Sequence, residues 1–331
     1  MTSLVNHEEA AVVRNFRDIC NEVPDGEPND SLSVIAIKAL LRLLEHSTAS
    51  TMMGLQEELE LATTKLLDFF DSSDSQYTVA SSKTALSLRS GCELFVRHVT
   101  RTVDDFPGDF QACKEALLRR GGAFAQLTER SRLTISRLGH PFIRHGSVVL
   151  THGRSRVVEA VLMAAVQQGK HFHVIVTECS AIANEAQDQA RFYSGAGLPV
   201  TVVTDAAVAT IMQRVDMVIV GAEAVVESGG VVNRTGTYQI GIVCAALKKP
   251  LYVAAESYKF ARLYPLDQRD LPKTVTRNSS CVLEHLKLPD GVGALVPKCD
   301  YTPANYITLL FTDLGVLTPA AVSDELIKLY Q

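Results

Sequence analysis

The chain has 331 residues, 47% of them hydrophobic and 21% charged, which suits two domains of ordinary soluble composition. Its formal net charge of −5, 6% aromatic content and lack of tryptophan exclude a basic, base-stacking nucleic-acid surface. No stretch reaches the roughly 18 apolar residues of a membrane span, and the opening MTSLVNHEEAAVVRNF lacks the basic start and long apolar run of a secretory signal.

Residues 1–140 read as an all-helical domain. Val12, Val13, Phe16, Ile19 and Cys20 recur at helical spacing in a charged background. Residues 31–44 form a second, strongly apolar helix. Residues 54–70 form a third, stopped by Asp71-Ser72-Ser73-Asp74-Ser75. Two more follow over 84–101 and 110–138, and Gly139-His140-Pro141 breaks the pattern.

From about residue 146 to 331 the texture changes to short β-branched runs: 147–151, 172–177, 199–204, 216–220, 250–254 and, later, 307–311. Amphipathic stretches at about 155–169, 181–194, 205–213 and 236–248 separate them. Strand–helix–strand repetition of this kind predicts a Rossmann-like α/β domain with a mainly parallel sheet. Residues 264–300 read as a long excursion, and 322–330 as a closing helix with Ser323 as a candidate cap. The cysteines at 20, 92, 113, 179, 244, 281 and 299 form no CxxC pair, as expected of reduced cytoplasmic thiols.

In open α/β sheets ligands bind beyond the C-terminal strand ends. After the first strand comes Thr151-His152-Gly153-Arg154-Ser155-Arg156, which suits an anion at a helix N-terminus, or else an arginine-rich solvated helix start. His152 is a candidate general base there, or simply a hydrogen-bonded histidine. After the second strand, Glu178-Cys179-Ser180 offers a thiol without a visible activating base, so a packed small residue is the plainer reading. After the fourth strand, Gly221 to Tyr238 contains Glu223 at an acid/base position, the turn pair Gly229-Gly230, and polar Asn233, Arg234, Thr235 and Thr237. Neither GxGxxG nor GxxxxGK[ST] occurs, so no dinucleotide or other cofactor is expected, and no metal site is indicated.

The run VIVGAEAVVESGGVVNRTGTY resembles the signature of a two-branched family. One branch holds aldose–ketose isomerases of ribose 1,5-bisphosphate or methylthioribose 1-phosphate. The other holds the regulatory subunits of eukaryotic initiation factor two B, which exchanges guanine nucleotide on initiation factor two. VVLTHGRSRVV, PVTVVTDAAVATIM, PLYVAAESYKFARLYPLDQRDLP and ITLLFTDLGVLTPAAVSDELIKLY resemble it too, and the last two resemble its alpha subunits in particular. Leu88 to Arg97 matches less tightly. The resemblance places Gly153 where the isomerases carry a catalytic cysteine, Glu223 where they carry an aspartate, and Arg234 where a lysine is usual. An Arg-Gly-Ala phosphate motif is absent near residues 31–40.

The resemblance therefore implies a non-catalytic regulatory subunit; an active sugar-phosphate isomerase is the alternative. It implies a cytoplasmic homodimer; the apolar ITLLFTDLGVLTP segment is a candidate for part of the contact, or else ordinary core. That dimer would join beta, gamma, delta and epsilon subunits and sense initiation factor two phosphorylated on its alpha subunit. It also implies a vestigial pocket of Arg89, His152, Gly153, Arg154, Ser155, Arg156, Glu178, Glu223, Asn233 and Arg234, fit for a sugar phosphate or nucleoside monophosphate.

Overall fold

The computed structural model describes residues 2–21, 32–71, 85–104, 109–180, 184–272, 289, 291–292 and 295–330. They fall into two compact units, which divide between Arg130 and Ser131, within the fifth helix.

The first unit is helical, as the 3.6-residue periodicity predicts. Its helices are α1 (Thr2–Asn21), α2 (Leu32–Glu45), α3 (Met52–Asp71), α4 (Ala85–Asp104) and the start of α5 (Phe110–Gly139). In α2, LSVIAIKALLRLLE is apolar almost all round, so it must be central. Ile35, Ile37, Leu40 and Leu44 are fully or almost fully buried, and α1, α3 and α4 pack around them. Gly91 lets α4 come close, since a Cβ there would stand 2.7 Å from that of Ser33. The Ser33 hydroxyl donates to the Ser87 carbonyl at 2.6 Å across the same contact. The stop assigned to residues 71–75 lies largely outside the described residues.

The second unit is α/β. Its first stretch runs β1 (Val148–Thr151), α6 (Arg156–Gln167), β2 (His173–Thr177), α7 (Glu185–Gly195), β3 (Val200–Val203), α8 (Val208–Ile211) and β4 (Met217–Val220). Then come β5 (Ala224–Val226), β6 (Val231–Arg234), α9 (Thr237–Ala246), β7 (Leu251–Ala254) and β8 (Phe260–Ala261). After the excursion follow β9 (Cys299–Thr302), β10 (Leu309–Thr312), β11 (Gly315–Leu317) and α10 (Val322–Tyr330). The main sheet has the order β11-β10-β7-β4-β1-β2-β3. Every pairing in it is parallel except β10 with β11. Among the described residues no strand precedes β1. The order reverses between β1 and β4, and that switch point opens a crevice at their C-terminal ends.

Several details differ from the sequence reading. The chain's return in β9 closes a second sheet, β8-β5-β6-β9, so the 221–238 stretch contains two short strands, β5 and β6. Residues 205–213 break into two 3₁₀ turns around a single turn of helix. Ser323 lies inside α10, which continues a 3₁₀ turn over Pro319–Ala321. Within the 307–319 segment Leu310 and Phe311 are fully buried, as its reading as ordinary core expects, while Leu314 is 40% exposed. Of the glycine pair, only Gly229 has positive φ, at 79°. A Cβ there would overlap the Pro319 carbonyl oxygen. Backbone cannot rotate away as a side chain can, and positive φ alone costs roughly 1–2 kcal/mol. Gly229→Ala is expected to lower stability by about 3 kcal/mol or more in denaturant titration; an unchanged midpoint would contradict this packing.

Candidate functional site

The loop after β1 lies at the switch point. Ser155 is extended and caps α6, its oxygen accepting from the Val158 amide at 3.5 Å. From the end of β4, Gly221 backs directly onto it: a Cβ there would stand 2.5 Å from Ser155 Oγ.

His152 is completely buried. Its Nε2 donates to the Thr235 carbonyl at 3.0 Å, which leaves Nδ1 to accept from the Thr177 hydroxyl at 2.6 Å. Burial pushes its pKa below the ordinary imidazole value, against the pull of Asp205. A neutral ring with both nitrogens engaged holds β1, β2 and the start of α9 together; it has no lone pair left for a substrate proton.

Gly153 has φ +70°, and a Cβ there would meet Arg234 Cγ at 2.8 Å. Arg234 ends β6, only 5% exposed. Its Nη2 lies 3.6 Å from Glu223 Oε1 and its Nε 4.0 Å from Glu185 Oε1. Burial works against its charge, but Glu223 and Glu185 more than offset this and hold its pKa above the usual guanidinium value. Arg154 is also engaged: its amide donates to Glu185 Oε1 at 2.9 Å and its Nε to Glu159 Oε1 at 3.0 Å. Arg234 Nη1 and Glu185 Oε2, on two facing residues, are buried without a hydrogen-bond partner.

Cys179 adopts φ 51°. Its amide donates to Asp205 Oδ1 at 3.0 Å, and the Ser180 amide and hydroxyl donate to Asp205 Oδ2, each at 2.8 Å. Burial, then Glu185, push the thiol far up, so it stays protonated and a poor nucleophile. Although it follows a different strand from Gly153, the parallel pairing of β1 and β2 brings it into the same crevice, within electrostatic reach of Arg234.

The remaining sequence-selected residues are more scattered. Arg156 is the first residue of α6 and half-buried, while Glu178 is exposed, its amide donating to the Val203 carbonyl at 2.7 Å. Asn233 is buried on β6 and donates to Thr237 Oγ1 at 3.1 Å. Arg89 lies on an exposed face of α4 in the other unit.

Sequence reasoning missed the acidic partners. Glu159 and Glu185 stand in the first turns of α6 and α7, and that placement after a strand end was the available signal. It also missed Asp300 on β9, whose Oδ2 accepts from the Gly236 and Tyr238 amides at 2.7 and 3.1 Å. Burial raises the Asp300 pKa to about 7. Among the described residues no group of three His, Cys, Asp or Glu side chains could hold a metal ion. Among the described residues the crevice is thus lined by charges that neutralise one another, with neither a thiolate nor a basic imidazole.

The model of the initiation factor 2 subunit family matches residues 26–319. The chain is 43% identical to translation initiation factor eIF2B subunit alpha of Dictyostelium discoideum, covering 100% of both chains. It is 30% identical to a ribose 1,5-bisphosphate isomerase of Archaeoglobus fulgidus, covering 71% of this chain and 72% of that one. In fold it resembles a chain of the tetrameric eIF2B beta–delta complex of C. thermophilum, with a TM-score of 0.74, 17% identity and coverage of 99% and 98%. With a family model spanning most of its length and a relative matched from end to end, the chain belongs to the initiation factor 2 subunit family.

Proposed function

We propose that the chain is a non-catalytic regulatory subunit of the guanine nucleotide exchange factor for translation initiation factor two. End-to-end likeness to alpha subunits supports the assignment. One observation in the crevice carries the non-catalytic part: Arg234 lies across Gly153, ion-paired to Glu223 and Glu185. An isomerase moving a proton between adjacent carbons needs a positioned acid and base. Here His152 has no free nitrogen and Cys179 stays protonated.

In this reading the chain forms a homodimer in the cytoplasm and assembles with beta, gamma, delta and epsilon subunits. Its helical unit takes part in sensing initiation factor two phosphorylated on the alpha subunit. Co-purification with the four other subunits tests the assembly. Exchange that stays equally sensitive to phosphorylation without this subunit would refute the sensing role. The likeness to a ribose 1,5-bisphosphate isomerase favours the enzymatic alternative; turnover of that sugar phosphate, lost in Glu223→Gln, would establish it instead.

The crevice also suits a phosphorylated small molecule bound without conversion. Its unpartnered Arg234 Nη1 and Glu185 Oε2 are a buried donor and a buried acceptor, the kind of pair that a ligand or ordered water satisfies. A sugar phosphate or nucleoside monophosphate brings an anion for Arg234 and Arg154 and hydroxyls for Glu185 and Glu223. Losing one charge-assisted contact costs about 1.5–3 kcal/mol, so Arg154→Ala should weaken binding by roughly 10- to 100-fold. Calorimetry with a panel of sugar phosphates and nucleotides measures this; no heat with any of them, or equal heat with the variant, would end the pocket reading.

A further inference from the structure

A cleft of ≈ 380 Å³ opens at the end of the main sheet opposite the crevice, where β1, β4 and β7 begin. That is the size of a small-molecule site. Its floor is aromatic. The Tyr252 ring stacks on Phe311, with centroids 5.2 Å apart and planes at 24°, and Phe142 tilts against the two at 5.6 and 4.8 Å. Phe142 is still 37% exposed, so part of its ring remains open to the cleft that it lines. Pro250 continues the apolar wall.

Two opposite charges, Arg144 and Asp216, line the same cleft, and both are exposed. Among the described residues neither has an ion-pair partner. Asp216 is held in place: its amide donates to the Val148 carbonyl at 2.9 Å, and its Oδ2 accepts from the Val148 amide at 2.8 Å. Its Oδ1 is left for another donor. Arg144 is fixed through its carbonyl, which accepts from the Ser147 amide at 3.2 Å and hydroxyl at 2.7 Å. Its guanidinium lies close enough to Tyr252 to draw down a phenol pKa that burial raises. Beside it, His145 Nδ1 accepts from the His171 amide at 3.4 Å, which leaves the Nε2–H as a second donor.

One cation, one carboxylate and an aromatic floor in a single small cleft select a ligand that is itself dipolar and carries an apolar group. We propose that the cleft binds a free α-amino acid with an aromatic or large aliphatic side chain. Arg144 and His145 take its carboxylate, the guanidinium through its fork of donors. Asp216 Oδ1 takes its ammonium, and Phe142, Tyr252 and Pro250 take its side chain. A phosphate-bearing ligand would gain Arg144 but be repelled by Asp216, and a purely apolar one would leave both charges unused. The bound zwitterion bridges the segment before β1 to the residue before β4. It does so at the opposite strand ends from Arg154 and Arg234, so this site and the crevice stand or fall separately.

Calorimetry on the full chain with L-phenylalanine, L-tyrosine and L-leucine is the test. Thermal melting is a second readout, because a ligand of the folded state alone raises the melting temperature. At least one of the three should bind with a dissociation constant below about 1 mM. N-acetyl-L-phenylalanine and L-phenylalanine amide, each lacking one of the two charges, should bind about 10- to 100-fold more weakly. Arg144→Gln and Asp216→Asn should each weaken the amino acid by the same factor. Both should melt as wild type does without ligand, since both side chains are exposed and asparagine can still accept from the Val148 amide. Should Asp216→Asn misfold, Arg144→Gln and the two capped ligands decide alone. No heat and no melting shift with any of the three amino acids would overturn the proposal, and so would binding that Arg144→Gln leaves unchanged. Guanosine monophosphate binding that is lost in Arg144→Gln, with no amino acid bound, would overturn the ligand class and make the cleft a nucleotide site.

Discussion

Arg234→Met is expected to destabilise the α/β unit by about 3–5 kcal/mol, the loss seen when one member of a buried charge pair is removed. Methionine fills the space of the aliphatic stem over Gly153 but removes the guanidinium that both Glu223 and Glu185 face. Arg234→Lys keeps the charge and loses the planar fork, so it should fall between the two. Adding Glu223→Gln to Arg234→Met should recover part of the loss, because one of the stranded carboxylates is then neutral. Denaturant titration followed by circular dichroism measures all four proteins. A methionine variant within about 1 kcal/mol of wild type would mean that the ion pairs are not closed in solution.

The second large effect is a change in how stability depends on pH. Asp300 titrates at about 7 in the fold against 3.8 for an ordinary aspartate. Between those values the folded chain holds a proton that the unfolded chain has released. Stability from this group is therefore full below pH 3.8 and is lost as pH rises through 7. Asparagine cannot titrate, yet its amide oxygen can still accept from Gly236 and Tyr238. The stability of wild type relative to Asp300→Asn should decline by about 4 kcal/mol from acid to mildly alkaline conditions, at 1.36 kcal/mol per pKa unit. His152 acts in the opposite sense: its pKa is lowered in the fold, so its contribution is lost as pH falls. It is present in both proteins and cancels in the comparison. Parallel pH profiles for the two would show that Asp300 is not held in its buried position.

Much of this was legible in the residues because the signals were local. The helices of the first unit announce themselves by apolar periodicity, and α2 by being apolar nearly all round. The strands of the main sheet are short β-branched runs separated by amphipathic stretches, and the parallel order follows from their alternation. The loop from His152 to Arg156 was identifiable because a helix begins where a strand ends. The second sheet was not legible: β5 and β8 are three and two residues long, too short to show a period, and β9 lies far along the chain from β6. The arginines were located but their condition was not. Arg154 and Arg234 share Glu185, which is remote from both in sequence, and nothing in the spacing announces that pairing. His152 was weighed as a base because its type suggests one; only the positions of Thr177 and Thr235 reveal that both nitrogens are spoken for.

The pairing of β6 with β9 sets Arg234 opposite Cys299 and Asn233 opposite Asp300. In a growing chain the ribosome must travel from residue 234 to residue 299 before that partner strand exists. At roughly 5–20 residues per second, this interval lasts about 3–13 s. Until then β6 has only its hairpin neighbour β5, and a slip of one residue would turn Arg234 to the face that Asn233 should occupy. The nascent chain must keep an arginine and two glutamates waiting in the right places while a large part of the molecule is still being made. Slow codons or a bound chaperone between those positions would prolong this exposure, whereas the helical unit, complete long before, would be unaffected.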